Sequence, residues 1–202
     1  MIANDDNVSR AIMLRDFFLA ANRTELEASC RSFLETNDGP VPTPEEWHEL
    51  EFTFNQLFVG PRAVIAPPYA SVYLDNGRYV MVEAAQTVRK LYHLVGLSSP
   101  WEGKLPDDHI SLELDACLHF RHAIDNANQD LLVPVYDYFL NRHLQVWVPD
   151  FVKQIQEMPD LPVLMNWIAG ELLQWLHDEC NWFSFIPVHE SESLFPDEET
   201  PL

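Results

Sequence analysis

An all-α protein is what this sequence predicts, and three observations predict it. Apolar residues recur at intervals of three and four rather than alternating, helix-start and helix-stop signals punctuate the chain, and runs with strand character are scarce. The expectation is a single helical domain of about eight to ten helices in two packed halves.

Ile12, Phe17, Phe18 and Leu19 mark a first helix. Leu26, Cys30, Phe33 and Leu34 form one face of a second, which should stop near Asn37-Asp38-Gly39-Pro40. Thr43-Pro44-Glu45-Glu46 reads as a capping box with proline at the first helical position. It opens a third helix with Trp47, Leu50, Phe54, Leu57 and Phe58 on its apolar side. Gly60-Pro61 ends that helix, and Gly60 permits the turn. From Val59 to about Asp75 the sequence predicts a loop, because Pro61, Pro67 and Pro68 deny it helical hydrogen bonds.

A further helix is expected over Val82 to Leu94, ending at Gly96. Turn-rich residues then lead through Leu105-Pro106-Asp107-Asp108-His109 into a helix whose stripe is Ile110, Leu114, Cys117, Leu118 and Ile124, with Glu113 and Asp115 off it. Two more helices are expected around Leu131 to Leu140 and from about Pro149 to Glu157, separated by His143 to Trp147. Val163 to Trp182 supplies a last core helix, and the acidic tail beyond Pro187 is expected to be disordered. The halves fall at residues 1–97 and 98–188, with residues 189–202 as the tail.

Composition narrows the function. The 202 residues are 47% apolar, enough to bury a substantial core. Twelve Lys and Arg against 32 Asp and Glu give a net charge of −20. Such a surface repels nucleic-acid backbones and anionic lipids and attracts basic peptides. No segment reaches the roughly 18 apolar residues of a membrane span, and Met1 to Ala20 lacks the apolar core of a secretory leader. Cys30, Cys117 and Cys180 are odd in number and far apart, which fits a reducing cytoplasm and neither a disulfide scaffold nor a zinc site.

Catalytic signatures are missing: there is no Gly-rich phosphate loop, no G-x-S-x-G elbow and no H-E-x-x-H pair. His119-x-x-His122 and His177-x-x-Cys180 each offer two metal ligands on one helical face, without an obvious third. Asp107-Asp108-His109 reads as helix capping or as an acid and base pair. No cofactor and no metal site is expected.

Four ordered motifs carry a resemblance. They are Leu57-Phe58-x-Gly60-Pro61, then Pro67-Pro68-Tyr69-x-Ser71-Val72-Tyr73, then Pro106-x-Asp108-His109 with Glu113-Leu114, and last His143-Leu144-x-x-Trp147-x-Pro149-x-Phe151. The chain resembles the TorD/DmsD family of cytoplasmic chaperones for molybdenum-containing reductases, and the likeness covers about Phe52 to Phe151. The resemblance implies a non-enzymatic, all-helical protein. It would bind the twin-arginine signal peptide of an apo-molybdoenzyme and delay export until the molybdenum cofactor is inserted.

Such a peptide carries two permanently charged guanidiniums beside an apolar run of about a dozen residues, so its binder needs carboxylates next to a greasy groove. By the resemblance, Phe54, Leu57, Phe58, Pro68 and Tyr69 would wall the apolar part, with Pro106, Asp108 and His109 at the polar end. Asp107 joins them on charge alone. The spacing of Leu57 and Phe58 fits a core face equally well, and Trp147 fits packing between the halves. The acidic residues often found at two family positions are Leu105 and Ala70 here. Partners are then the apo-reductase and its leader, with no nucleic acid and no membrane insertion, and the chain as a monomer or a dimer that exchanges halves near Gly96 to Pro106. A helical adaptor unconnected with redox enzymes and a histidine-based metal-dependent hydrolase are the alternative readings.

Overall fold

A computed structural model describes residues 3–61, 63–74, 89, 93, 105–127 and 132–186. The helix expected over Val82 to Leu94, residues 96–104 of the exchange hinge and the acidic tail lie outside those residues, apart from Arg89 and His93.

Helices dominate. The chain runs through α1 (Ala3–Leu19), α2 (Arg23–Thr36), α3 (Pro44–Phe54), α4 (Ala70–Leu74), α5 (Ile110–Ala127), α6 (Leu132–Tyr138), α7 (Gln145–Gln156) and α8 (Val163–Phe183). Among the described residues there is no strand, only an isolated antiparallel bridge between Tyr69 and His109.

Local chemistry explains the starts. Asn22 caps α2 by accepting from the Glu25 N–H at 3.1 Å. The predicted capping box is formed at α3: Thr43 Oγ1 accepts from Glu46 N and Glu46 returns the bond to Thr43 N at 2.7 Å. Leu26, Cys30, Phe33 and Leu34 are the buried face of α2, as their spacing predicts.

α1 packs on α2, α5 and α8, so helices from both ends of the chain share one core. Phe17, Trp147 and Trp175 are fully buried within it, each contributing about 2–3 kcal/mol by leaving water. Ile12, in α1, is 40% exposed. Polar ties join the same helices. Arg10 on α1 binds Glu171 at 2.7 Å and Asp178 at 3.0 Å on α8, and Arg15 binds Asp115 on α5 at 2.9 Å. Deeper in, Glu179 accepts from Asn7 at 2.8 Å, from Tyr136 at 2.7 Å and from Arg121. The Arg121 guanidinium also lies 4.2 Å from the Trp182 ring centre.

The structure corrects three expectations. The stretch from Val59 to Asp75 is not loop throughout, because α4 begins at Ala70. His143 to Trp147 does not separate two helices: a π turn, Phe139–Leu144, joins α6 to α7, and Pro149 sits inside α7. Glu113 does not lie off the core face of α5 but is fully buried.

Candidate functional site

The four motifs converge on one clasp. It starts where α3 ends in a π turn, Asn55–Val59, closed by a 2.9 Å bond from the Gly60 N–H to the Asn55 carbonyl. Gly60 takes φ 105°, which a side chain would disfavour. The chain then turns back on the helix it has left, with Ala66 N–H bonded to the Leu57 carbonyl at 2.9 Å. That return carries Pro67 and Pro68 to the start of α5.

There the backbones of Tyr69 and His109 pair. Ala70 N–H donates to the Asp108 carbonyl and Ile110 N–H donates to the Pro68 carbonyl, each at 3.0 Å. The Asp108 carboxylate secures the joint by accepting from the Ser71 N–H at 3.0 Å through Oδ2. It thereby caps α4 from a position 37 residues away in sequence. Its other oxygen, Oδ1, is buried with no hydrogen-bond partner among the described residues.

His109 faces Tyr69 edge-on, with ring centres 5.1 Å apart, and its Nδ1 accepts from the Ser111 N–H at 3.2 Å. Burial lowers its pKa to about 3, so the ring is neutral. Burial also raises the Tyr69 phenol, with the Asp108 charge adding to it. Asp107 holds a guanidinium: Arg89 Nε lies 2.5 Å from its Oδ2.

Beneath the clasp, Glu113 joins the third motif to the fourth. Its Oε1 meets His143 Nε2 at 2.6 Å and its Oε2 accepts from Trp147 Nε1 at 3.1 Å. Burial raises the Glu113 pKa, and His143 opposes the shift. Tyr73 stacks on Trp147 with centres 5.6 Å apart, and Phe151 packs on Tyr73 and Phe58.

The predicted site residues therefore share one neighbourhood, but they differ in access. Phe54, Leu57 and Phe58 are core residues, at 3%, 0% and 6% exposure. Pro68 is buried, whereas Tyr69 and Pro106 are half-buried. Asp107, Asp108 and His109 are 3%, 0% and 5% exposed, so a ligand reaches their side chains only where this face opens. Leu105 is half-buried and Ala70 is buried. Sequence reasoning missed the joining role of Glu113, although the residue stands in the third motif.

One histidine of each pair considered for metal has a neighbour on its own helix. His119 lies 3.9 Å from Asp115 and His177 lies 2.8 Å from Asn181. Among the described residues no three His, Cys, Asp or Glu side chains converge as metal ligands, and no helix is long and apolar enough to cross a membrane.

Fold and site together define a helical protein in which the buried carboxylates of Asp108, Glu113 and Glu179 join separate elements. The family described as the nitrate reductase delta subunit matches residues 19–153, and the chain belongs to it. A protein named chaperone protein TorD from Aliivibrio salmonicida is 33% identical over 146 residues, covering 68% of this chain and 66% of its own. Its namesake from Vibrio cholerae is 30% identical over 110 residues, covering 52% of this chain and 50% of its own. The matches thus span between half and two thirds of these relatives. The fold is similar to that of a candidate redox enzyme maturation protein from Archaeoglobus fulgidus, with TM-score 0.56, 18% identity, and coverage of 85% of this chain and 93% of that one.

Proposed function

We propose that the chain is a cytoplasmic, non-enzymatic chaperone for a molybdopterin-dependent reductase of the dimethyl sulfoxide or trimethylamine N-oxide reductase type. It binds the client's twin-arginine leader and its cofactor-free body, and releases both unchanged after the cofactor is inserted. Binding alone does the work, by mass action on the export-competent population.

One observation carries the reading: beside the joint of the second and third motifs, Asp107 already binds a guanidinium, that of Arg89. A client arginine that replaces Arg89 exchanges one charge-assisted bond for another, so the exchange costs little. Arg89 is 55% exposed in its side chain, which leaves it open to displacement. As the Tyr69–His109 bridge opens, Asp108 Oδ1 supplies a second acceptor, and the half-buried Tyr69 and Pro106, backed by the buried Pro68, offer rigid surface that costs little entropy to order. Phe54, Leu57 and Phe58 back this surface from the core.

Isothermal titration with a twin-arginine leader peptide and its twin-lysine counterpart tests the proposal. The arginine peptide is expected to bind at least tenfold more tightly, because a planar guanidinium can use two acceptors where an ammonium is a point charge. Asp107→Asn should remove most of that preference. Equal affinity for both peptides would overturn the reading.

A further inference from the structure

The buried placement of Phe54, Leu57 and Phe58 leaves open where a leader's apolar run is held, and the described surface offers a place at the opposite end of α3. The connection from α2 to α3 and the connection from α7 to α8 flank a cavity of about 400 Å³, a size typical of ligand clefts. Pro42, Leu50, Pro162 and Leu164 line it. Val41 and Val163 stand beside them at 65% and 73% exposure, unusual for valines.

Its polar lining residues are Glu46, Glu49 and Asp160, and no Lys or Arg lines it. Glu46 is exposed but gives one oxygen to the Thr43 cap, which leaves Glu49 and Asp160 as the exposed carboxylates of the lining with no such cap to hold. The neighbouring cavity of about 320 Å³, beyond Val41 and Pro42, includes Arg23 and Arg31 and lacks this one-signed edge.

The walls are held firmly. Gly39 N–H bonds the Leu34 carbonyl at 2.9 Å, and a Cβ on Gly39 would stand 2.4 Å from Leu34 Cδ2 and 3.1 Å from the Trp167 ring, so the loop is pressed against α2 and α8. Asp38 and Asp160 hold left-handed backbones at φ 51° and 53°. A groove set in advance loses little entropy on binding.

We propose that this groove between the starts of α3 and α8 holds a few apolar side chains from the run of the client's leader, with a flanking cation on Glu49 and Asp160. The inference rests on the client-binding reading above and adds a second contact to the clasp. Charge complementarity selects this occupant: the leader is apolar and cationic, and the groove is apolar and acidic.

Fluorescence anisotropy with a dye-labelled synthetic twin-arginine leader provides the test, comparing the wild-type chain with Glu49→Lys/Asp160→Lys and with Val163→Asp. All three positions are exposed, so Val163→Asp should melt within about 3 °C of wild type, while lysine in the left-handed backbone at Asp160 should lower the midpoint of the double variant by about 2–4 °C and leave it folded at the assay temperature. The charge-reversed variant is expected to bind about tenfold more weakly and with a shallower salt dependence, and Val163→Asp about fivefold more weakly. Wild-type affinity in both variants would overturn the groove while leaving the clasp intact. A twin-lysine leader that binds as tightly as the twin-arginine one would overturn the clasp, and the groove would then stand only if the charge-reversed variant weakened both leaders and would fall if it weakened neither. No binding of either leader by the wild-type chain would overturn both. A dimer that these variants convert to monomer, with leader affinity unchanged, would make the groove a self-interface and refute the proposal.

Discussion

Acidification from pH 7 to pH 5 should cost this protein about 2 kcal/mol through His109 alone. The ring is 5% exposed, and its Nδ1 accepts the Ser111 N–H at 3.2 Å. A proton on that nitrogen places a cation in a desolvated site, which is why the folded pKa falls to about 3, and it also breaks the bond from Ser111. An unfolded histidine titrates near 6.5, so the unfolded chain takes up the proton first as pH falls. Stability from this group is complete above about pH 6.5 and is lost as pH drops towards the folded value, at about 1.4 kcal/mol per unit. One and a half units below 6.5 gives about 2 kcal/mol. Glu113 and Glu179 work in the opposite sense: burial raises both, so their contribution is complete below the ordinary carboxylate range and is lost as pH rises through their folded values. The clean comparison is therefore between the wild type and His109→Gln, whose amide oxygen can still accept from Ser111. Urea unfolding of both at pH 7 and pH 5 should show the wild type losing about 2 kcal/mol more than the variant, a midpoint difference of about 1 M for a slope near 2 kcal/mol per molar. Equal losses would refute the assignment of a neutral, buried ring to His109.

The remaining expectations concern the carboxylates. Asp108→Ala strips the acceptor from the buried Ser71 N–H and should cost about 2 kcal/mol in urea unfolding, with Asp108→Asn retaining an oxygen and losing about half as much. A cost below about 0.5 kcal/mol for the alanine variant would show that the carboxylate does not cap α4. Glu113→Ala leaves His143 Nε2 and Trp147 Nε1 buried without their acceptor and should destabilise by about 3 kcal/mol, read by thermal or urea unfolding. A change under about 1 kcal/mol would mean that this carboxylate does not join α5 to α7.

Local signals were legible and distant partners were not. The Thr43 capping box, the buried face of α2 and the turn at Gly60 each depend on residues within a few positions of one another, and each forms as read. The segment after Pro68 read as loop because Pro61, Pro67 and Pro68 deny the stretch helical hydrogen bonds; the group that caps a helix there is Asp108, 37 positions on. Glu113 read as lying off the core face because periodicity treats a carboxylate as outward-facing. Its burial depends on His143 and Trp147, 30 and 34 positions away. Pro149 read as a helix boundary by the usual rule, yet α7 continues through it beyond the π turn.

By itself the sequence determined the helical class, most element boundaries, the acidic surface and the four motifs, because periodicity, capping and net charge are set by neighbours along the chain or by composition. Only the tertiary structure decided that the four motifs form one clasp, that Asp108 spends one oxygen on α4 while Asp107 holds Arg89, and that the apolar groove lies at the other end of α3. The reason is physical. Desolvation and hydrogen-bond satisfaction depend on which groups packing brings together across the chain, and the same Asp or Glu serves as a cap, a joint or a docking point according to that company.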